Sequence, residues 1–205
     1  MKAESINRFL YNPLRMPEPE FLARFIVREN EFRILWEDLV QTKRNQVDQH
    51  FLIIGQRGMG KTTLLLKAAY EIKRSPKLHD WLLPVIFPEE LFGVSDLLGL
   101  WENLAAALEE ALPGLAQEIS VLLESRSEEG VLEAIRKRLS SEKKKLVLFI
   151  DNFGDFLDEL NALEVHRLRE ILITAKDLRL IAASARPVDQ SFDYHKPFFD
   201  FFNTI

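Results

Sequence analysis

Residues 55–62 read Gly55-Gln56-Arg57-Gly58-Met59-Gly60-Lys61-Thr62, which fits G-x-x-x-x-G-K-[ST] without a mismatch. The spacing has a physical reason. Main-chain N–H groups can wrap a polyphosphate only where side chains stay clear, and the three glycines allow that approach. Lys61 would extend to the β- and γ-phosphates, and the Thr62 hydroxyl would ligate Mg²⁺. A helix beginning near Thr62 and continuing through Thr63 would turn its N-terminus to the anion. Chance produces this pattern in about one in a hundred chains of such length. Here an apolar strand, Phe51-Leu52-Ile53-Ile54, precedes it, and a helical run with Leu64, Leu65, Ala68 and Ile72 follows. The segment therefore implies a nucleoside-triphosphate site with Mg²⁺.

The rest of the chain fits a fold that such a loop requires. Leu146-Val147-Leu148-Phe149-Ile150 is a continuous apolar run, and 178–183, apolar apart from Arg179, is another strand. Runs without alternation, separated by helical periodicity, predict a parallel sheet covered on both faces, hence an α/β three-layer αβα sandwich. Residues 82–87 form a further strand, and Pro84 assigns it to an edge because proline cannot donate to a ladder. Helices are expected over 30–40, 62–72 and 163–175, and over a segment carrying Leu97, Trp101, Leu104 and Leu108 with Ser95 as its N-cap. One or two more follow the Pro113-Gly114 break, the last with Val131, Leu132, Ile135 and Leu139 on one face. Residues 1–17, interrupted by Pro13 and Pro17, read as an arm. The expected division is 1–45, an arm and helix, and 46–205, the core.

A phosphate loop needs a carboxylate for its Mg²⁺ shell at the end of a neighbouring strand. Asp151 directly follows Ile150 and is that residue. Asn152 comes next, an amide that can orient water but cannot accept its proton. Slow hydrolysis follows from that. Glu89, Glu90, Asp155 and Asp158 are weaker candidates for the missing base.

Composition narrows the classes. The chain has no cysteine, a net charge of −5 and no apolar leader at its start. Disulfides and cysteine metal sites are excluded, and a cytoplasmic protein with no membrane partner is expected. The negative total weighs against a surface coated for nucleic acid. Arg136, Lys137, Arg138, Lys143, Lys144 and Lys145 form a local exception, read as the solvated face and C-terminal end of a helix.

With these residues in place, the chain resembles the additional-strand P-loop ATPases, in particular the AAA+ and STAND group and its origin-recognition-like and archaeal-type domains. Phe25-Ile26-Val27-Arg28-Glu29-Asn30-Glu31-Phe32 is similar to the group's F-[VI]-G-R-E-x-E-[FL] box, with Val27 in place of glycine. Ile150-Asp151-Asn152-Phe153 resembles its Walker B, and residues 180–186 its sensor 1 strand. The resemblance implies ATP as the nucleotide and strand order 5-1-4-3-2, with a fifth strand starting near Phe202. It implies that Arg28 and Glu29 help form the nucleotide pocket, that Ser184 lies beside the γ-phosphate and that Arg186 reads it. A helical lid, which the group carries further along, is missing from the sequence, as for an excerpt of a longer protein. Phe192, Phe198, Phe199, Phe201 and Phe202 then read as core packing or as the seat of that lid.

The function that follows is a slow ATP-driven switch, with homo-oligomers formed through nucleotide interfaces as one arrangement. Alternatives are a DNA-associated loader or transposition regulator and a nucleotide-binding scaffold that never hydrolyses. A small-molecule kinase would need an arginine-rich lid, and a GTPase an N-K-x-D segment. The sequence shows neither.

Overall fold

Consecutive apolar residues form strands here because both sides of each strand are covered. The computed structural model describes residues 17–23, 28–87, 94–187, 198 and 200–205. Its strands are β1 (His50–Ile54), β2 (Leu82–Phe87), β3 (Lys145–Ile150), β4 (Leu178–Ser184) and β5 (Phe202–Thr204). Its helices are α1 (Glu18–Ala23), α2 (Glu29–Val40), α3 (Lys61–Arg74), α4 (Leu97–Leu108), α5 (Leu115–Glu124), α6 (Glu128–Ser141), α7 (Phe153–Glu159) and α8 (Ala162–Thr174).

All pairings are parallel, in the order β2-β3-β4-β1-β5. That is the expected 5-1-4-3-2 order read from the other edge. Strand β2 lies at the edge, where Pro84 is tolerated. The period of two divides the strand residues between two cores. Phe51, Ile53, Val147, Phe149, Ile181 and Ala183 pack with Leu35 and Leu39 of α2 and with Leu64, Leu65 and Ile72 of α3. Leu52, Leu146, Leu148, Ile150, Leu180 and Ala182 pack with helices α4 to α8. The result is the αβα sandwich. Phe198 and Phe202 join this second core, and Phe153 meets both rings edge-on at 6.0 and 5.7 Å. Core packing is thus the role of these two phenylalanines, while Phe192 and Phe199 lie outside the described residues.

Two local expectations are corrected, and one helix is added. The N-cap of α4 is Asp96, not Ser95, since Asp96 Oδ1 accepts the Gly99 N–H at 2.8 Å. Helix α7 was not foreseen, because seven residues with a glycine among them carry too little periodicity. Lys145 is no solvated cation. It is fully buried at the start of β3, where its ammonium pairs with Asp48 and donates to the carbonyls of Lys43 (3.0 Å) and Gln46 (2.7 Å).

Arg179, also fully buried, stands nearby at the start of β4 and binds Asp38 and the Thr42 hydroxyl. These two cations fasten the segment after α2 beneath the sheet, at the end opposite the phosphate loop. His50 completes the layer. Its Nδ1 accepts the Leu180 N–H at 2.9 Å, so Nε2 carries the proton and donates to the Leu172 carbonyl at 3.0 Å. Burial pushes its pKa down from 6.5 to about 4.

Candidate nucleotide-binding site

The loop after β1 takes its curl from Gly58 (φ 82°) and Gly60 (φ 75°), left-handed conformations that a side chain would oppose. Gly60 immediately precedes α3, and no side chain caps that helix. Glycine has no side chain to compete with an anion at this N-terminus, and the helix dipole favours one there. Gln56, Arg57, Gly58 and Met59 are exposed along the rim, while Thr63 is buried beneath it.

Lys61 opens α3, and its ammonium sits within the curl, donating to the carbonyls of Gly55 (2.8 Å) and Gln56 (3.1 Å). The Thr62 hydroxyl donates to Asp151 Oδ2 across a separation of 89 residues. Asp151 is buried at the carboxyl end of β3. Its Oδ1 accepts the Asn152 N–H at 2.9 Å, and its own N–H donates to the Phe87 carbonyl of β2 at 3.2 Å. The loop and the strand-end carboxylate, read separately from the sequence, therefore meet.

A hydroxyl and a carboxylate oxygen in contact suit Mg²⁺, which draws most of its shell from water and substrate phosphates. Among the described residues no cluster of three or more His, Cys, Asp or Glu could hold a metal by itself. Thr62 and Asp151 would hold Mg²⁺ jointly with a nucleotide's phosphates, where the ion supplies charge neutralisation.

Arg28 contributes a contact that the sequence did not disclose. It precedes α2 in a left-handed conformation (φ 56°), and its Nε donates to the Met59 carbonyl at 2.8 Å and its Nη2 to the Ile54 carbonyl at 3.3 Å. The guanidinium thus spans the phosphate loop from entry to apex. A Cβ on Gly55 would lie 2.3 Å from Arg28 Nη2, so this glycine makes room for an arginine. Gly58 is different. A Cβ there would meet nothing within 4 Å, and its positive φ alone calls for glycine. Glu29 opens α2 and is exposed. Phe25, Ile26 and Val27 of the same box lie outside the described residues, as do Glu89 and Glu90.

Asn152 adopts φ 50° at the N-cap of α7, a left-handed conformation that asparagine accepts more readily than glutamate. Ser184 ends β4 beside the loop, and its carbonyl accepts the Gly55 N–H at 3.2 Å. Its buried hydroxyl donates to the Arg186 carbonyl at 2.6 Å. Arg186 is exposed, and its guanidinium pairs with Asp158 and, at 3.6 Å, with Asp155 of α7. The structure joins Lys61, Thr62, Asp151 and Arg28 around the loop and holds Arg186 on α7.

A family model described as an AAA ATPase domain matches residues 24–181. The chain belongs to that family. No curated protein matches it. Solved structures similar to this AAA ATPase domain include the Aeropyrum pernix ORC1 protein in complex with DNA, at 20% identity and TM-score 0.59. The ADP form of the ORC2 protein from Aeropyrum pernix is 16% identical with TM-score 0.64, and Cdc6p from Pyrobaculum aerophilum is 13% identical with TM-score 0.55. The matches cover 87%, 88% and 92% of this chain but 44%, 47% and 49% of theirs. The domain thus spans about half of each relative's length and shares their fold. Among the described residues, no helix of this AAA ATPase domain is long and apolar enough to cross a membrane.

Proposed function

We propose that this domain binds ATP with Mg²⁺ and hydrolyses it slowly, serving as a nucleotide switch within a larger regulatory protein. The observation that carries this reading is the Thr62–Asp151 hydrogen bond beneath a loop whose glycines, lysine and uncapped helix all favour a polyphosphate. Slow turnover is supported by Asn152, which orients water without accepting its proton. The switch is supported by Arg186. Its exposed pairing with Asp155 and Asp158 contributes little stability, so a γ-phosphate can compete for the same guanidinium.

Calorimetry tests the binding step. Wild type should take up Mg-ATP, Lys61→Ala should not, and Asp151→Ala should bind ATP with no gain from Mg²⁺. Absence of binding by folded wild-type protein would overturn the proposal. Single-turnover hydrolysis separates the switch from a scaffold that only binds.

A further inference from the structure

At the far end of the sheet from the phosphate loop lies a cleft of about 540 Å³. It gathers Arg44 from the segment before β1, Arg136 from α6, Lys143 and Lys144 from the turn before β3, and Lys176 and Asp177 from the turn before β4. We propose that this cleft is a second anion site, which takes an oligophosphate group through these cations. It is independent of the nucleotide reading given above.

Charge is the first argument. Five cations face one carboxylate, a local balance of +4 in a chain of net charge −5. Helices α6 and α8 end at this cleft through Ser140 and Thr174, and each C-terminus contributes roughly −0.5 of a charge. Roughly +3 remains, a surplus that suits an oligophosphate. Cations placed only to complement helix dipoles would not leave this surplus.

Unused donors are the second argument. Arg136 carries two buried nitrogens, Nε and Nη2, without a hydrogen-bond acceptor, although Asp177 lies 3.6 Å from Nε. Lys144 donates to the Asp80 carbonyl, and Arg44 lies over the Trp81 ring. Among the described residues no carboxylate pairs with Lys143 or Lys176. Lys143 also holds a left-handed conformation (φ 53°) just past the end of α6, where glycine is the unstrained choice. A lysine there keeps its charge at the cleft despite the backbone cost.

The test titrates inorganic tripolyphosphate and a fluorescein-labelled single-stranded 20-mer into wild type, Lys61→Ala and Lys143→Gly/Lys176→Gln. Binding that survives Lys61→Ala and weakens at least tenfold in the double variant supports the site. The double variant should melt no lower than wild type, since glycine suits residue 143. Stronger binding of tripolyphosphate marks a free oligophosphate as the ligand. Stronger binding of the 20-mer, with a log–log salt slope near −1.4 for about two phosphates, marks a nucleic-acid backbone. Equal affinity of wild type and a folded double variant for both probes, or no binding of either, overturns the proposal.

Discussion

Replacing Gly55 by alanine separates two reasons for a glycine at the first position of the loop. If phosphate approach alone requires it, the cost should not depend on Arg28. The structure gives a different answer. An alanine Cβ would stand 2.3 Å from Arg28 Nη2 and 3.5 Å from its Cζ, whereas the next neighbour, Met59 Sδ, lies at an ordinary 3.6 Å. The backbone of Gly55 is not left-handed, so alanine is conformationally acceptable there. The guanidinium must move, losing its 3.3 Å bond to Ile54 and disturbing the 2.8 Å bond to Met59. Hydrogen bonds from charged donors contribute about 1.5–3 kcal/mol each when buried. One bond here is long and the other is in part solvated, so a loss of about 2 kcal/mol is expected. With Arg28→Ala in place, Gly55→Ala should cost nearly nothing. Urea denaturation of wild type, both single variants and the double variant measures the coupling, and Mg-ATP titration of the same four proteins reads the loop. Additivity within about 0.5 kcal/mol would refute the steric account. Loss of nucleotide affinity that is equal in both backgrounds would return Gly55 to the phosphate.

Asn152→Glu should raise the hydrolysis rate while lowering stability by about 1 kcal/mol, because glutamate resists the left-handed conformation; Asn152→Gly should leave turnover slow without that loss. An unchanged rate in a folded Asn152→Glu protein would remove the support for chemistry-limited turnover. Arg186→Ala should change the urea midpoint little, as its pairs with Asp155 and Asp158 are exposed. It should narrow the ratio of ATP to ADP affinity, and an unaltered ratio would exclude Arg186 as a γ-phosphate reader. His50 gives a pH dependence. The unfolded chain takes up a proton near pH 6.5 that the folded chain refuses until about 4, so stability falls as pH drops. Between pH 7.5 and 5 this group removes about 2 kcal/mol, and His50→Asn should flatten the denaturation profile by that amount. Parallel profiles would contradict the buried neutral imidazole.

Sequence reading succeeded where the chemistry is local. Past their first residues, strands β1, β3 and β4 run apolar on both faces, Pro84 points to an edge by itself, and the loop is defined by eight consecutive residues. Asp151 was legible from its place after a strand. Long-range pairing hid the rest. Lys145 looks like a solvated charge in sequence and nothing local marks Arg179, since their partners lie 97 to 141 residues away along the chain. The fit of Arg28 to Gly55 likewise requires the turn before α2 to fold against a loop that follows a different strand. A one-residue error in the cap of α4 reflects two adjacent cap-forming residues, Ser95 and Asp96, between which only the direction of chain entry decides.

Helix α2 is anchored at both extremities. Arg28 grips loop carbonyls at one end, and Asp38 and Thr42 are held by Arg179 at the other. Twelve residues give a rod of about 18 Å, too stiff to absorb a push along its axis. A displacement of the loop rim would therefore reach the underside of the molecule as a thrust, and a load applied underneath would be felt at the rim in return.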